Sequence, residues 1–207
     1  MLPDTVKRRS QTWQALYPAA IDLFYERGYE AATLRQLAAA LGVQAGSLYN
    51  YVSSKQELLY TIVRSVVEQL VAESRRVVEA SDGTLDRLRR LVEHTVIFHA
   101  THTKEVFIGN HELRSLEPAN LAEVMALRDA FEHLYQEMLR EGMQQGIFAP
   151  ADVKVTSYAL LAMCTGVSRW YRPSGRLDAA CIAALYADIA VRAVTAGTAP
   201  PPNPDNP

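Results

Sequence analysis

Apolar residues recur every three to four positions along almost the whole chain, which is the spacing that lines one face of an α-helix. Nowhere do they alternate in the two-residue rhythm of a half-buried strand bounded by hairpin turns. Breaks at Ser81-Asp82-Gly83, Glu117-Pro118, Gly146-Ile147-Phe148-Ala149-Pro150 and Pro173-Ser174-Gly175 divide these stretches into helices. After the first fifty or so residues the pattern predicts helices from about Ser54 to Glu79, from Thr84 to near Thr101 and from Lys104 to Leu113. A long helix follows from Pro118, which suits a first helical position, to about Gln145; two more run from about Ala151 to Tyr171 and from Leu177 to Ala196. No internal repeat is visible. The expected class is all-α, with about nine helices: an N-terminal three-helix head over residues 1–53, a C-terminal helical bundle over 54–196, and a disordered Pro-rich tail over 197–207.

The head carries the most specific local pattern. Thr33 and Gln36 fit a capping box opening a short helix with apolar Leu34, Leu37, Ala38 and Leu41. Gly42 stands where a left-handed residue would end that helix, and Val43 plugs the angle before the next one, which starts near Gln44. The first turn, Gln44-Ala45-Gly46-Ser47, has small or amide side chains. A backbone so lined can approach base edges in a DNA major groove, with Gln44 and Ser47 available to hydrogen-bond them. Leu48 faces inward, and Tyr49, Asn50 and Tyr51 around it complete the candidate DNA-facing set. Ser54-Lys55-Gln56-Glu57 forms a second capping box, whose N–H groups and Lys55 are expected to clamp a phosphate.

Upstream, Ala19-Ala20-Ile21-Asp22-Leu23-Phe24 followed by Glu26-Arg27-Gly28-Tyr29 reads as an amphipathic helix closing at a C-cap glycine. Pro18 falls inside that first helix, so its well-formed part is expected to begin near Pro18. These residues, with Leu48-Tyr49-Asn50-Tyr51 running into Lys55-Gln56-Glu57-Leu58-Leu59, resemble the TetR family of bacterial transcriptional regulators, in detail over residues 13–63 and in architecture beyond. By that resemblance Thr33, Tyr49, Tyr51 and Lys55 touch phosphates, and Gln44, Ala45, Gly46 and Ser47 form the base-reading turn. Val52 stands where the family commonly has Phe, which shrinks a core contact.

Composition fits a soluble, cytoplasmic protein. The chain has 207 residues, 49% hydrophobic and 21% charged, enough to bury a sizeable core, and no apolar run approaches the length of a membrane span. The N-terminus has Lys7, Arg8 and Arg9 but no following apolar stretch, so no signal peptide is read there, and Cys164 and Cys181 are expected to be reduced. Residues 1–60 carry six basic side chains against five acidic ones, a weak excess for a nucleic-acid binder. The placement of Arg8, Arg9 and Lys55 therefore has to supply the electrostatics. The Lys7-Arg8-Arg9 cluster either reaches a minor groove or is a solvated tail.

Small residues Ala159, Ala162 and Gly166 on one of the last helices, and Ala180, Ala184, Ala187 and Ala190 on the other, form stripes beside Leu161, Leu185 and Ile189. Such stripes let helices approach closely, either within the chain or across a two-fold axis in a four-helix homodimer interface; the family resemblance implies the second. Two recognition helices on that axis would read a pseudo-palindromic double-stranded operator.

The middle helices would then enclose a small hydrophobic effector. Phe98, Phe107, Leu121, Met125, Leu134, Tyr135, Met138 and Tyr158 either line an elongated cavity or form ordinary core. Among polar residues on those helices stand His102, Asn110, His111, Arg114 and Arg128, with Arg169-Trp170-Tyr171-Arg172 farther on; arginines beside aromatics suit phosphate and ring recognition. The segments Asn110–Arg114, Gly142–Phe148 and Trp170–Leu177 resemble the TetR branch that controls fatty-acid or steroid degradation, which implies an acyl-CoA effector, its acyl part in an apolar tunnel and Arg169, Arg172 or Arg176 near the CoA phosphates. Surface salt bridges account for the same arginines. A multidrug-sensing repressor of an efflux gene and a helical ligand-binding protein without DNA binding remain alternatives.

His99 and His102 are spaced to share a helix face, with His94 and His111 nearby, yet no Cys pair or carboxylate completes a zinc set, so no metal is expected. No phosphate loop, nucleophile elbow or acidic catalytic cluster occurs, so no enzyme activity, catalytic residue or cofactor is read.

Overall fold

The computed structural model describes the backbone of residues 4–150 and 152–195, and side chains within those ranges from Gln14 onward. The Lys7-Arg8-Arg9 side chains and the tail over 197–207 therefore lie outside the described residues. Among the described residues there are ten α-helices, one 3-10 turn and no strand. The helices are α1 (Asp4–Arg27), α2 (Leu34–Ala40), α3 (Ala45–Leu48), α4 (Lys55–Glu79), α5 (Thr84–Thr101), α6 (Thr103–His111), α7 (Pro118–Gln144), α8 (Val153–Thr165), α9 (Val167–Trp170) and α10 (Ala179–Thr195); the 3-10 turn is Leu113–Ser115. No described helix is long and apolar enough to cross a membrane.

Two expectations about helix bounds are corrected. The first helix does not begin near Pro18; α1 runs from Asp4 through the proline to Arg27. Proline costs one backbone hydrogen bond, but Leu16 before it and Ala20, Ile21 and Phe24 after it are all buried in one core, and that packing holds the helix on both sides. The helix expected from Ala151 to Tyr171 is two. It starts at Val153, where Asp152 Oδ1 accepts from Val155 N–H at 2.8 Å, and it breaks at Gly166. Around the break the Thr165 hydroxyl donates to Leu161 O and the Ser168 hydroxyl to Thr165 O, and Arg169 N–H turns to the nearer Gly166 O. Side-chain donors competing for backbone carbonyls loosen the ladder there.

The chain divides into two compact units, Met1–Val67 with Lys104–Met125, and Glu68–Thr103 with Ala126–Pro207. The first unit has a continuous apolar core. Leu16, Ala20 and Phe24 of α1, Leu37 and Ala38 of α2, Leu48 of α3 and Leu58, Leu59, Ile62 and Val63 of α4 meet there, joined by Ile108, Leu116 and Val124 from the 104–125 segment. Phe24 and Tyr29 pack edge to face at 5.5 Å, closing the end of α1 onto this core. Gly28 (φ 74°) and Gly42 (φ 66°) end α1 and α2 in the left-handed conformation, as their positions predict.

In the second unit α5 lies along α10, with Leu88, Leu91, Val92 and Val96 buried on one and Ile182, Ala183, Ala187, Ala190 and Val194 on the other. The α10 stripe thus splits. Ala187 and Ala190 are buried, whereas Ala180, Ala184, Leu185 and Ile189 are exposed, and α8 exposes Val155, Tyr158, Ala159 and Ala162. Arg89 pairs with Asp188 at 2.7 Å, and Arg87 reaches both carboxylate oxygens of Glu141 at 3.1 Å. Cys164 is buried, Cys181 exposed, and both are free.

Candidate nucleic-acid interface

The capping box predicted at Thr33 forms in full. Thr33 N–H donates to Gln36 Oε1 at 2.8 Å, and Thr33 Oγ1 accepts from Gln36 N–H at 3.2 Å. Thr33 is one of the residues lining an open cleft of about 580 Å³, with Ala32, Leu34, Arg35, Ala45, Tyr49 and Lys55. Such a concavity, floored by the starts of two short helices, is where a nucleic-acid backbone would lie.

At the turn expected to read bases, Gln44 is the N-cap of α3, is exposed, and makes no side-chain capping bond among the described residues, so its amide is available outward. Ser47 differs from expectation. Its hydroxyl donates to Gln44 O at 2.7 Å, so the proton is spent within the turn and the oxygen is left only as an acceptor. Gly46 is exposed, and a Cβ built on it meets nothing within 4 Å, so the fold itself does not require glycine there. Ala45 is partly buried at the cleft wall. Tyr49 is 61% exposed beside the cleft, and Asn50 is exposed next to it. Tyr51, expected with Tyr49 at phosphates, instead packs partly buried against the head core.

The largest difference from expectation concerns Lys55. Its Nζ donates to Tyr29 O at 2.8 Å, Ala32 O at 3.1 Å and Glu30 O at 3.3 Å, and lies 4.1 Å from the Tyr29 ring centroid. An ammonium has three donors, and all three are spent on carbonyls of the α1–α2 turn. In this structure Lys55 is therefore an internal clamp, where a free phosphate ligand was expected. The second capping box also shifts: Ser54 Oγ accepts from Glu57 N–H at 3.0 Å, but Glu57 reaches back to Ser53, taking both its N–H and its hydroxyl at 2.6 Å. Those bonds hold the Glu57 carboxyl below its ordinary pKa. The cation left at the cleft is Arg35, exposed and without an ion pair among the described residues. The sequence carries a usable signal for it, an arginine one residue after the helix start that the Thr33–Gln36 box predicts.

The candidate effector residues divide between the units. Phe107, His111, Arg114 and Met125 belong to the first, where Phe107 and His111 stack at 3.9 Å and Tyr25 meets Phe107 edge-on at 5.1 Å. His111 and Met125 are exposed, and Arg114 is exposed as well. Phe98, His102, Arg128, Tyr135, Met138, Arg169 and Trp170 belong to the second. There Phe98 is buried and stacked on His102 at 4.1 Å, while Met138 is buried. Tyr135, fully buried, shares a 2.8 Å hydrogen bond with Thr95 Oγ1. Because the Thr95 hydroxyl donates to Leu91 O, Tyr135 is the donor of that bond. Burial pushes the neighbouring Cys164 thiol up to about 12 and lowers the Arg128 pKa. His99 Nδ1 donates to Thr95 O at 2.8 Å, and burial pushes its pKa down to about 4. Ser74 Oγ and His94 Nε2 are buried without hydrogen-bond partners among the described residues, with His94 3.8 Å from Glu73 Oε2. Arg169 and Trp170 are exposed, Trp170 lying 6.5 Å from the Tyr186 ring.

Comparison with known proteins agrees with this geometry. The family described as bacterial regulatory proteins, tetR family, matches residues 16–61, and the tetracyclin repressor-like C-terminal domain matches residues 81–194. The HTH-type transcriptional repressor KstR2 of Mycobacterium tuberculosis is 30% identical over 87% of this chain and 91% of its own length. The solved structure of that ketosteroid regulator superposes with a TM-score of 0.81 at 28% identity, over 91% of this chain and 95% of that one. The TetR family regulator PfmR of Thermus thermophilus is 34% identical over 86% of this chain and 97% of its own, with a TM-score of 0.79. AibR, solved with isovaleryl coenzyme A and operator DNA, is 25% identical over 90% of this chain and 99% of its own, with a TM-score of 0.76. A capped α2, a glycine turn and an exposed α3 start, continued by a matching C-terminal domain, make the chain a member of the TetR family of DNA-binding bacterial transcriptional regulators.

Proposed function

We propose that this protein is a cytoplasmic, homodimeric repressor released from a pseudo-palindromic operator by a hydrophobic acyl-CoA effector. In this reading residues 1–53 read DNA, and 54–196 bind effector and dimerise. The observation that carries it is the likeness over nearly the whole chain to AibR, a regulator solved with an acyl-CoA and operator DNA together. The likeness to KstR2, a transcriptional repressor and ketosteroid regulator, supports repression and a link to an apolar metabolite class.

Local chemistry supports each part. Gln44 and Ser47 present an amide and an acceptor oxygen to base edges, while Tyr49 and Arg35 border the cleft for phosphates. Val155 and Tyr158 on α8, and Leu185 and Ile189 on α10, are large exposed apolar side chains suited to burial against a second copy. Buried Ser74 Oγ and His94 Nε2, both lacking partners, suit the polar part of a bound effector. Exposed Arg169, Arg172 and Arg176 are cations for CoA phosphates.

Effector release follows from differential affinity: a ligand that binds better to a dimer whose head spacing misfits the operator lowers operator affinity by the same factor. Thermal shift with long-chain acyl-CoAs against free lipophilic cations tests the effector class. A rise in melting temperature with acyl-CoAs alone supports the reading. A rise with the cations alone points to a drug-sensing repressor instead.

A further inference from the structure

Four side chains and one turn of the first unit form a closed hydrogen-bonded circuit around the backbone N–H and C=O of Tyr29. Lys55, at the start of α4, holds Tyr29 O at 2.8 Å. Tyr29 N–H donates to Glu112 Oε1 at 3.1 Å, across 83 residues of sequence. Glu112 Oε2 accepts from the Ser115 hydroxyl at 2.9 Å, and the Ser115 carbonyl accepts from Gln56 Nε2, one residue along α4 from Lys55. The turn so gripped runs directly into Thr33, the cap of α2, and Ala32 N–H also bonds Tyr29 O at 3.3 Å.

We propose that Glu112 is a positioning residue for DNA recognition. Through one N–H it fixes the turn that sets where α2 begins, and α2 with its glycine turn sets the aim of α3. Glu112 reaches this turn from the end of α6, outside the helices that face DNA, so it touches no phosphate itself. Its partner is a backbone donor, and the bond is assisted by the carboxylate charge, the stronger class of hydrogen bond. Leaving the Tyr29 N–H unpartnered allows the turn to move without emptying any part of the apolar core. The Gly28 Cβ position, 3.9 Å from Glu112 Oε1, leaves the carboxylate room to sit there.

The test uses the full-length protein and an operator selected from random double-stranded DNA. Affinity is measured across a salt series for wild type, Glu112→Ala and Glu112→Gln, with amide hydrogen exchange of residues 28–34 alongside. The expected result is a roughly tenfold loss for Glu112→Ala, with the slope of log affinity against log salt unchanged because no phosphate contact is removed. Exchange should rise at Tyr29 and its neighbours but not in the α1 and α4 core. Glu112→Gln keeps an oxygen for Tyr29 N–H and should recover most of the affinity. Wild-type affinity in Glu112→Ala overturns the proposal. So does an exchange increase spread through the whole unit, which marks a merely structural role, or a Glu112→Gln variant as weak as the alanine.

Discussion

Lys55 Nζ sits 4.1 Å over the ring of Tyr29 and donates to the carbonyl of the same residue at 2.8 Å, so one cation holds both the side chain and the backbone of the α1–α2 turn. A lysine with every donor engaged in this way acts on DNA through geometry. Lys55→Ala should weaken operator binding while leaving the salt slope unchanged, because no phosphate contact is lost. Arg35→Ala should lower the slope by about 0.9, the value for one phosphate neutralised on B-form DNA. Fluorescence anisotropy from low to moderate salt separates the two; a slope lowered by Lys55→Ala would return that residue to the phosphates.

Base reading should depend on Gln44 more than on any phosphate ligand. Gln44→Ala is expected to relax preference at one operator position by about 1–3 kcal/mol, whereas Tyr49→Phe should weaken all sequences alike. Ser47 offers only an acceptor, so Ser47→Ala should relax selection for a base presenting an N–H. Sequencing of DNA selected from random pools by each variant measures this directly.

Gly142 is pressed against a ring. A Cβ built on it would overlap the Phe148 ring, and Phe148 is buried. Alanine in a helix gains about 1 kcal/mol over glycine, but displacing a packed ring costs roughly 1–3 kcal/mol. Gly142→Ala should therefore be neutral to destabilising by up to about 2 kcal/mol, read as a lower urea midpoint at unchanged m-value. A clear stabilisation would show that the Phe148 ring moves aside freely.

His99 gives stability a pH dependence of defined sign. Burial holds its pKa at about 4 in the folded protein, against an ordinary value near 6.5, so between these values the unfolded chain binds the extra proton. The stability this neutral imidazole allows is complete above about pH 6.5 and is lost as pH falls toward 4, by on the order of 3 kcal/mol in all. Burial also lowers His94, which acts in the same direction. Urea titrations at about pH 7 and about pH 5 should show the decline, and His99→Gln, whose amide can still donate to Thr95 O, should flatten it. An unaltered pH dependence in that variant would assign the decline to other groups.

Legibility in the sequence followed the range of the interactions. The Thr33–Gln36 box, the left-handed Gly28 and Gly42, and the bounds of α4, α5 and α7 rest on contacts within a few residues and are read correctly. Pro18 misleads because its local cost is outweighed by burial of Leu16 and Ala20, which depends on distant partners. The break at Gly166 was signalled by Thr165 and Ser168, hydroxyls able to compete for carbonyls, but apolar periodicity runs across it. Nothing local to Lys55 announces that its partners lie 23 to 26 residues away, so a charge at a helix start reads as a phosphate ligand. The same holds for Ile108, Leu116 and Val124, which join the head core from residues that read as part of a separate bundle.

The central claim is that an acyl-CoA lifts this regulator from its operator. The direct measurement is a gel shift of the full-length protein on DNA from upstream of its own gene, titrated with isovaleryl coenzyme A and long-chain acyl-CoAs against coenzyme A and the free acids. At least one thioester is expected to release the DNA at concentrations where coenzyme A and the matching acid do not. Retention of the shifted band with every thioester, in a preparation that binds the DNA specifically, would contradict the account.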